Sequence, residues 1–169
     1  MTYSSKALIL HSIAKNKNNS KLPELLQKID EYDGQPLTKL VLQLMALTFV
    51  RTGELIGARW EEKELDKKQW RIPAERMKKK IPHIVHLSDQ AIAVLEKIRD
   101  LAADQILLFP SERRDGKAMS NNTILYALFR MGYHSRMIGH GFRGIASTIL
   151  HERGYNHEHI ELQLAHAKT

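Results

Sequence analysis

The stretch PLTKLVLQLMALTFV, residues 36–50, is apolar around nearly its whole circumference, and no other stretch constrains the fold as strongly. A helix without a polar stripe has no face to leave in water, so it must run through a core with other elements packed around it. It cannot be a membrane span: that needs about 18 or more consecutive apolar residues, and this run is shorter and contains Gln43 and Thr48. A chain of 169 residues is long enough to build one domain around such a helix.

The flanking sequence supplies elements to cover it. LPELLQKIDEYDG carries Pro23 near a helix start and Gly34 just past its end. KKQWRIPA and PHIVHLS are short, rich in β-branched or aromatic residues and bounded by prolines, which predicts two strands of a small antiparallel sheet. The basic segment ERMKKKI joins them. Ser88 offers an N-cap to DQAIAVLEKIRDLAA, where Ile92, Leu95 and Ile98 fall on one face. QILLFPSERRDGK reads as a short extended run followed by a charged loop. Ser120 caps NNTILYALFRMG, with Gly132 as its stop.

HGFRGIASTILHERG predicts a helix that buries Phe142, Ile145 and Ile149 and ends at Gly154. Asn156 then caps HEHIELQLAHA, with Ile160 and Leu164 one turn apart. The sum is a mainly α domain with a small antiparallel β-sheet. The first residues, MTYSSKALILHSIAKNKNNSK, superficially resemble a signal peptide but lack a small-residue cleavage site, and KNKNNSK reads as a flexible joint.

Composition narrows the chemistry. There is no cysteine, which excludes disulfides and thiolate metal sites and suits a reducing cytoplasm. Twenty-six Lys+Arg against 19 Asp+Glu give a net charge of +7, which fits either a polyanionic partner or a basic soluble surface. His151, His157 and His159 suggest a metal, but Gly154 interrupts the segment and no H-E-x-x-H spacing exists. RTGELIG matches neither nucleotide-binding glycine fingerprint, and no serine elbow is present.

Four features remain. Arg51 follows the apolar helix directly, and Glu54, three residues on, is placed to hold it by a bidentate pair; a surface cation is the simpler reading of that pair alone. His140 and Arg143 lie at helical spacing near a helix N-terminus, where main-chain N–H groups also favour an anion. The run RMKKK sits between the two predicted strands. His166 falls at the end of an apolar helix, where a capping or core histidine is the common case.

In order, the stretches LTFVRTGELIGARW, WRIPAERMKKKIPHIVHLS, LLFPS, AMSNNTILYALFRMGY, HGFRGIASTILHERG and IELQLAHA resemble the catalytic domain of the tyrosine recombinases, most of all the integrases of prophages and genomic islands. They cover the chain from about Pro36 to its end. Each stretch alone is weak; the ordered series Arg, Lys, His-x-x-Arg, His is specific. The resemblance implies that Arg51 and Arg143 grip the scissile phosphate. It makes Lys78 the general acid for the leaving 5′ oxygen, with Lys79 and Lys80 as neighbouring candidates. His140 would bond the phosphate and manage the nucleophile's proton, His166 would donate to a non-bridging oxygen, and Glu54 would support Arg51. Arg76, Lys79 and Lys80 would contact DNA.

The family's nucleophile is a tyrosine a short way beyond the last histidine, whereas the sequence ends at Thr169. Tyr133 and Tyr155 precede that point and match no motif, so the expectation is a catalytic domain, residues 21–169, cut before its nucleophile. Residues 1–20 would be a linker or the remnant of an upstream DNA-binding domain. His86 stands where relatives usually carry proline. The resemblance further implies site-specific recombination on double-stranded attachment sites through a 3′-phosphotyrosine, without cofactor or metal. The full-length protein would form a homotetramer on DNA, with this piece monomeric, a directionality factor as a further partner, and a cytoplasmic, nucleoid-associated location. Two alternatives stand beside it: a non-catalytic DNA-binding remnant acting as repressor or accessory protein, and a type IB topoisomerase.

Overall fold

The structure, a computed structural model, describes residues 21–102 and 105–133 together with Arg143, Gly144, Ser147, Thr148, His151, Gly154, Asn156, His157, Glu158, Ile160 and Leu164. Helix α1 spans Lys21–Asp30, α2 Pro36–Thr48 and the short α3 Thr52–Ile56. Strands β1 (Lys63–Glu64), β2 (Gln69–Ile72) and β3 (His83–His86) follow, then α4 (Asp89–Ala102), the hairpin β4 (Pro110–Ser111) and β5 (Arg114–Ala118), and α5 (Asn121–Arg130).

As its all-round apolar sequence requires, α2 is the centre of the core. Leu40, Val41, Leu42, Leu44, Met45 and Ala46 are buried, and α1, α4 and α5 pack against it. Pro36 occupies its first turn, where a missing N–H costs nothing. Its C-terminus closes on Phe49, whose φ of 56° is left-handed although the residue is bulky and not glycine. Such a conformation costs on the order of 1–3 kcal/mol and persists only when surrounding contacts hold it.

The central sheet is antiparallel in the order β1-β2-β3. Trp70 pairs with Val85 and Ile72 with His83, so that alternation sends Trp70, Ile72 and Val85 into the core. The local caps read from sequence are present. Ser88 Oγ accepts from the Ala91 N–H at 3.2 Å, Ser120 Oγ from Asn122 at 3.2 Å, and Asn156 Oδ1 from Glu158 at 2.8 Å. After α5, the Tyr133 N–H reaches the Leu128 carbonyl and the Gly132 N–H that of Phe129, with Gly132 at φ 89°. That pattern needs a left-handed residue just past the helix end, which glycine adopts without strain.

Three details differ from the sequence expectation. Helix α1 ends at Asp30 rather than just before Gly34, and the Tyr32 ring lies where a Gly34 side chain would stand. The sheet gains a third strand, β1, too short at two residues to leave an alternation signal. The charged loop after Phe109 is a hairpin: Pro110 pairs with Ala118 and Ser111 with Arg114. Its second strand, RDGKA, has no buried face and hence no apolar period to read. Residues 1–20, His140, Phe142, Ile145, Ile149, Tyr155, His159 and His166 lie outside the described residues. No helix of the described residues is long and apolar enough to cross a membrane.

Candidate active site

Arg51 caps the N-terminus of α3, directly after the left-handed turn at Phe49. The sequence suggested a two-pronged guanidinium–carboxylate pair with Glu54, and the actual arrangement divides the carboxylate. Glu54 Oε1 accepts from Arg51 Nη1 at 2.8 Å, while Oε2 accepts from Arg51's own main-chain N–H at 3.1 Å. One buried carboxylate therefore fixes both the side chain and the main chain of Arg51 and closes the first turn of α3. Thr52, which opens that helix, stays partly exposed.

A cleft of about 620 Å³ opens beside α3. Arg51, Arg76, Lys78 and Lys80 line it together with Glu54 and Glu75, and Asn121 and Asn122 from the start of α5 form its far wall. Four cations against two carboxylates make it a net positive recess. Within the β2–β3 connection, Pro73 leads into a 3-10 turn over Ala74–Arg76, and the buried Met77 anchors the loop. Lys78, Lys79 and Lys80 then stand exposed. Lys80 has a left-handed φ of 54°, and its ammonium donates to the Glu75 carbonyl at 3.0 Å. Lys78 lines the cleft with no such tether among the described residues; Lys79 is not among the lining residues.

Arg76 is committed inward. Its Nη1 donates to both carboxylate oxygens of Glu62, and its Nη2 donates to the main-chain carbonyl of Glu54. Glu62 is itself buried, accepts from Trp70 Nε1 at 2.9 Å, and lies 3.8 Å from the ammonium of Lys63. Lys63 is buried over the Trp70 ring at 4.0 Å. Burial, opposed by the neighbouring Glu62 and reinforced by Arg76, lowers its pKa to about 7. Neither Glu62 nor Lys63 carries a sequence signal of function. The one clue was the Trp70 indole: placed on the core face of a strand, its N–H demands a nearby acceptor.

Arg143 arrives from the far end of the chain. It is buried, Nη1 donates to the Phe49 carbonyl at 2.9 Å, and Nη2 donates to the Leu164 carbonyl. A single guanidinium thus ties together the turn that precedes Arg51, the helical residue Arg143, and the residue two before His166. Charge-assisted bonds of this kind contribute roughly 1.5–3 kcal/mol each, enough to offset the conformation imposed on Phe49. Leu164 and Ile160 are themselves buried in the core. Of the nine residues singled out in the sequence, Arg51, Glu54, Arg76, Lys78 and Lys80 line one cleft. Lys79 and Arg143 are not among its lining residues, Arg143 being bonded instead to Phe49, two residues before Arg51; His140 and His166 are not described.

Comparison with known proteins assigns the chain to a family. Residues 17–169 match the phage integrase family. The chain is 41% identical over 165 residues to the integrase of Enterobacteria phage P4, covering 89% of this chain and 38% of that protein. It is 37% identical over 145 residues to prophage integrase IntA of Escherichia coli (strain K12), covering 86% and 35%. The chain thus spans little more than a third of the length of these curated relatives. Among solved structures, XerA recombinase superposes with a TM-score of 0.71 at 20% identity over 87% of this chain and 55% of that one. XerH site-specific recombinase bound to difH substrate, a pre-cleavage complex, gives 0.71 at 19% identity over 89% and 46%. At such identities these two speak for the fold, that of a tyrosine-recombinase catalytic domain, and the family match with the relatives above decides membership: this chain belongs to the phage integrase family.

Proposed function

We propose that this chain is the catalytic portion of a site-specific DNA recombinase that acts through a 3′-phosphotyrosyl intermediate on double-stranded attachment sites. The observation that carries the reading is the bond from Arg143 to Phe49, since it draws the segments of Arg51, Arg143 and Leu164 to one point beside a cationic cleft. Integrase names among the relatives and the DNA-bound XerH complex support the same reading.

In this reading the Arg51 and Arg143 guanidiniums neutralise a phosphodiester as it becomes pentacoordinate. A tyrosine oxygen attacks phosphorus, the bond to the 5′ oxygen breaks, and the Lys78 ammonium gives that oxygen its proton. The Lys80 tether to Glu75 and the cleft position of Lys78 favour Lys78 for this role. His140 would bond the phosphate and take up the nucleophile's proton; His166 would donate to a non-bridging oxygen. Attack by the 5′ hydroxyl of a partner strand reverses the step and restores a phosphodiester, so bond energy is conserved. Four protomers would assemble on two sites, with a directionality factor choosing between integration and excision.

The test is a nicked attachment-site duplex offered to the full-length protein carrying this chain. A covalent protein–DNA adduct that Arg143→Ala abolishes is expected. Retention of the duplex without any adduct would favour the non-catalytic DNA-binding reading, and an adduct undiminished by Arg143→Ala would overturn the assignment of the site.

A further inference from the structure

We propose that Glu62 is a positioning residue for Lys78, acting through Arg76. The inference rests on the reading of Lys78 as general acid given above.

Lys78 sits on an exposed loop, and a proton donor must be held within hydrogen-bond reach of the leaving oxygen to be useful. The structure supplies that restraint two residues earlier. Arg76 spans the gap between two elements: its Nη1 is forked onto Glu62, at the entrance to β1, and its Nη2 is bonded to the Glu54 carbonyl within α3. Glu54 is the residue that holds Arg51. The guanidinium therefore locks the root of the Lys78 loop directly to the short helix whose N-terminus carries Arg51.

Glu62 is built to keep Arg76 in that place. It is buried, and besides Arg76 it accepts from Trp70 Nε1 at 2.9 Å and from the Arg59 main-chain N–H at 3.3 Å. A carboxylate with this many donors cannot rotate away without stranding several of them. Room for the guanidinium is also provided. A side-chain carbon at Gly57 would stand 3.0 Å from Arg76 Nη2, so the absence of one lets Arg76 lie flat against the end of α3. Gly57 has a φ of −85°, which any residue adopts, so close approach and not backbone freedom is what calls for glycine here.

A positioning role and a merely structural role separate by the choice of leaving group. With an ordinary 5′ oxygen, the leaving alkoxide needs a proton from Lys78. With a 5′-bridging sulfur it does not, because a thiol is acidic enough to leave as its anion, with a pKa of about 8.5 for a simple thiol. Single-turnover cleavage of both substrates by the full-length protein is compared for wild type, Lys78→Ala, Glu62→Gln and Gly57→Ala, with the fold of each checked by circular dichroism.

Lys78→Ala should be slow on oxygen and restored on sulfur. Glu62→Gln should lose about tenfold or more on oxygen and recover to near wild type on sulfur. Gly57→Ala, which keeps every polar group but displaces Arg76, should show the same pattern more mildly, and it serves as the variant if Glu62→Gln fails to fold. Equal slowing of Glu62→Gln on both substrates, or no slowing on either, overturns this inference while leaving the Lys78 assignment intact. Failure of sulfur to restore Lys78→Ala overturns that assignment, and the positioning role with it.

Discussion

Nη1 of Arg143 donates to the main-chain carbonyl of Phe49 at 2.9 Å, joining residues 94 apart in sequence. Phe49 can offer that carbonyl because its left-handed φ turns the peptide toward the core as the chain leaves α2. The strained residue and the buried cation therefore depend on each other, and Arg51 begins only two residues later. The second bond of Arg143, to Leu164, closes the same junction from the other side.

Replacing Arg143 should accordingly damage both stability and chemistry. Arg143→Ala removes a charged donor from the carbonyls of two buried residues, at about 1–3 kcal/mol each. Arg143→Lys restores charge but cannot fork to Phe49 and Leu164 together. Both should lower the denaturation midpoint, with alanine the worse, and both should reduce single-turnover cleavage by roughly 100-fold or more. A lysine variant with wild-type cleavage would contradict this.

The lysines of the β2–β3 loop should differ sharply. Lys78 and Lys80 both line the cleft, but the Lys80 ammonium is tethered to the Glu75 carbonyl. Lys78→Ala is expected to slow cleavage by about 100-fold or more, the scale of a lost general acid. Lys79→Ala and Lys80→Ala should weaken DNA binding modestly, with the loss shrinking as salt rises. Binding and cleavage measured on the same duplex would separate the two effects.

Glu54→Gln retains an acceptor for the Arg51 main-chain N–H but removes the charge that holds its guanidinium. Because Glu54 is buried, a stability loss of about 1–2 kcal/mol is expected in urea denaturation. Cleavage should fall by about tenfold, since Arg51 would keep its place in the chain but not its orientation.

Lys63 makes stability depend on pH in a predictable direction. In the unfolded chain it keeps its proton up to 10.5, whereas in the fold burial lowers its pKa to about 7. Between those values the unfolded state binds more protons, so folding stability rises with pH, and below pH 7 the buried charge carries its full cost. Lys63→Met should therefore stabilise the protein most near neutrality and below. That advantage should shrink by up to about 1.4 kcal/mol per pH unit as pH climbs from 7 toward 10.5. Urea midpoints for both proteins across that range are the measurement; an advantage that grows with pH would refute the account.

What the sequence determined by itself is what short-range forces decide. The bare circumference of α2 forced it inside, and Ser88, Ser120 and Asn156 capped their helices because a side-chain oxygen two or three residues away is the nearest acceptor for a helix's first N–H groups. Gly132 stopped α5 for an equally local reason, its left-handed φ. The ordered series of basic residues was legible too, as chemistry without geometry. Tertiary structure decided which partners those residues take. The two-residue β1 exists only because β2 lies beside it, and the β4–β5 hairpin has no buried face to announce it. Arg76, which lines the cleft, took Glu62 as its partner because that residue stands 14 residues back with a buried carboxylate. A carbonyl such as that of Phe49 carries no mark in a one-letter code; it becomes a partner for Arg143 when the fold aims it.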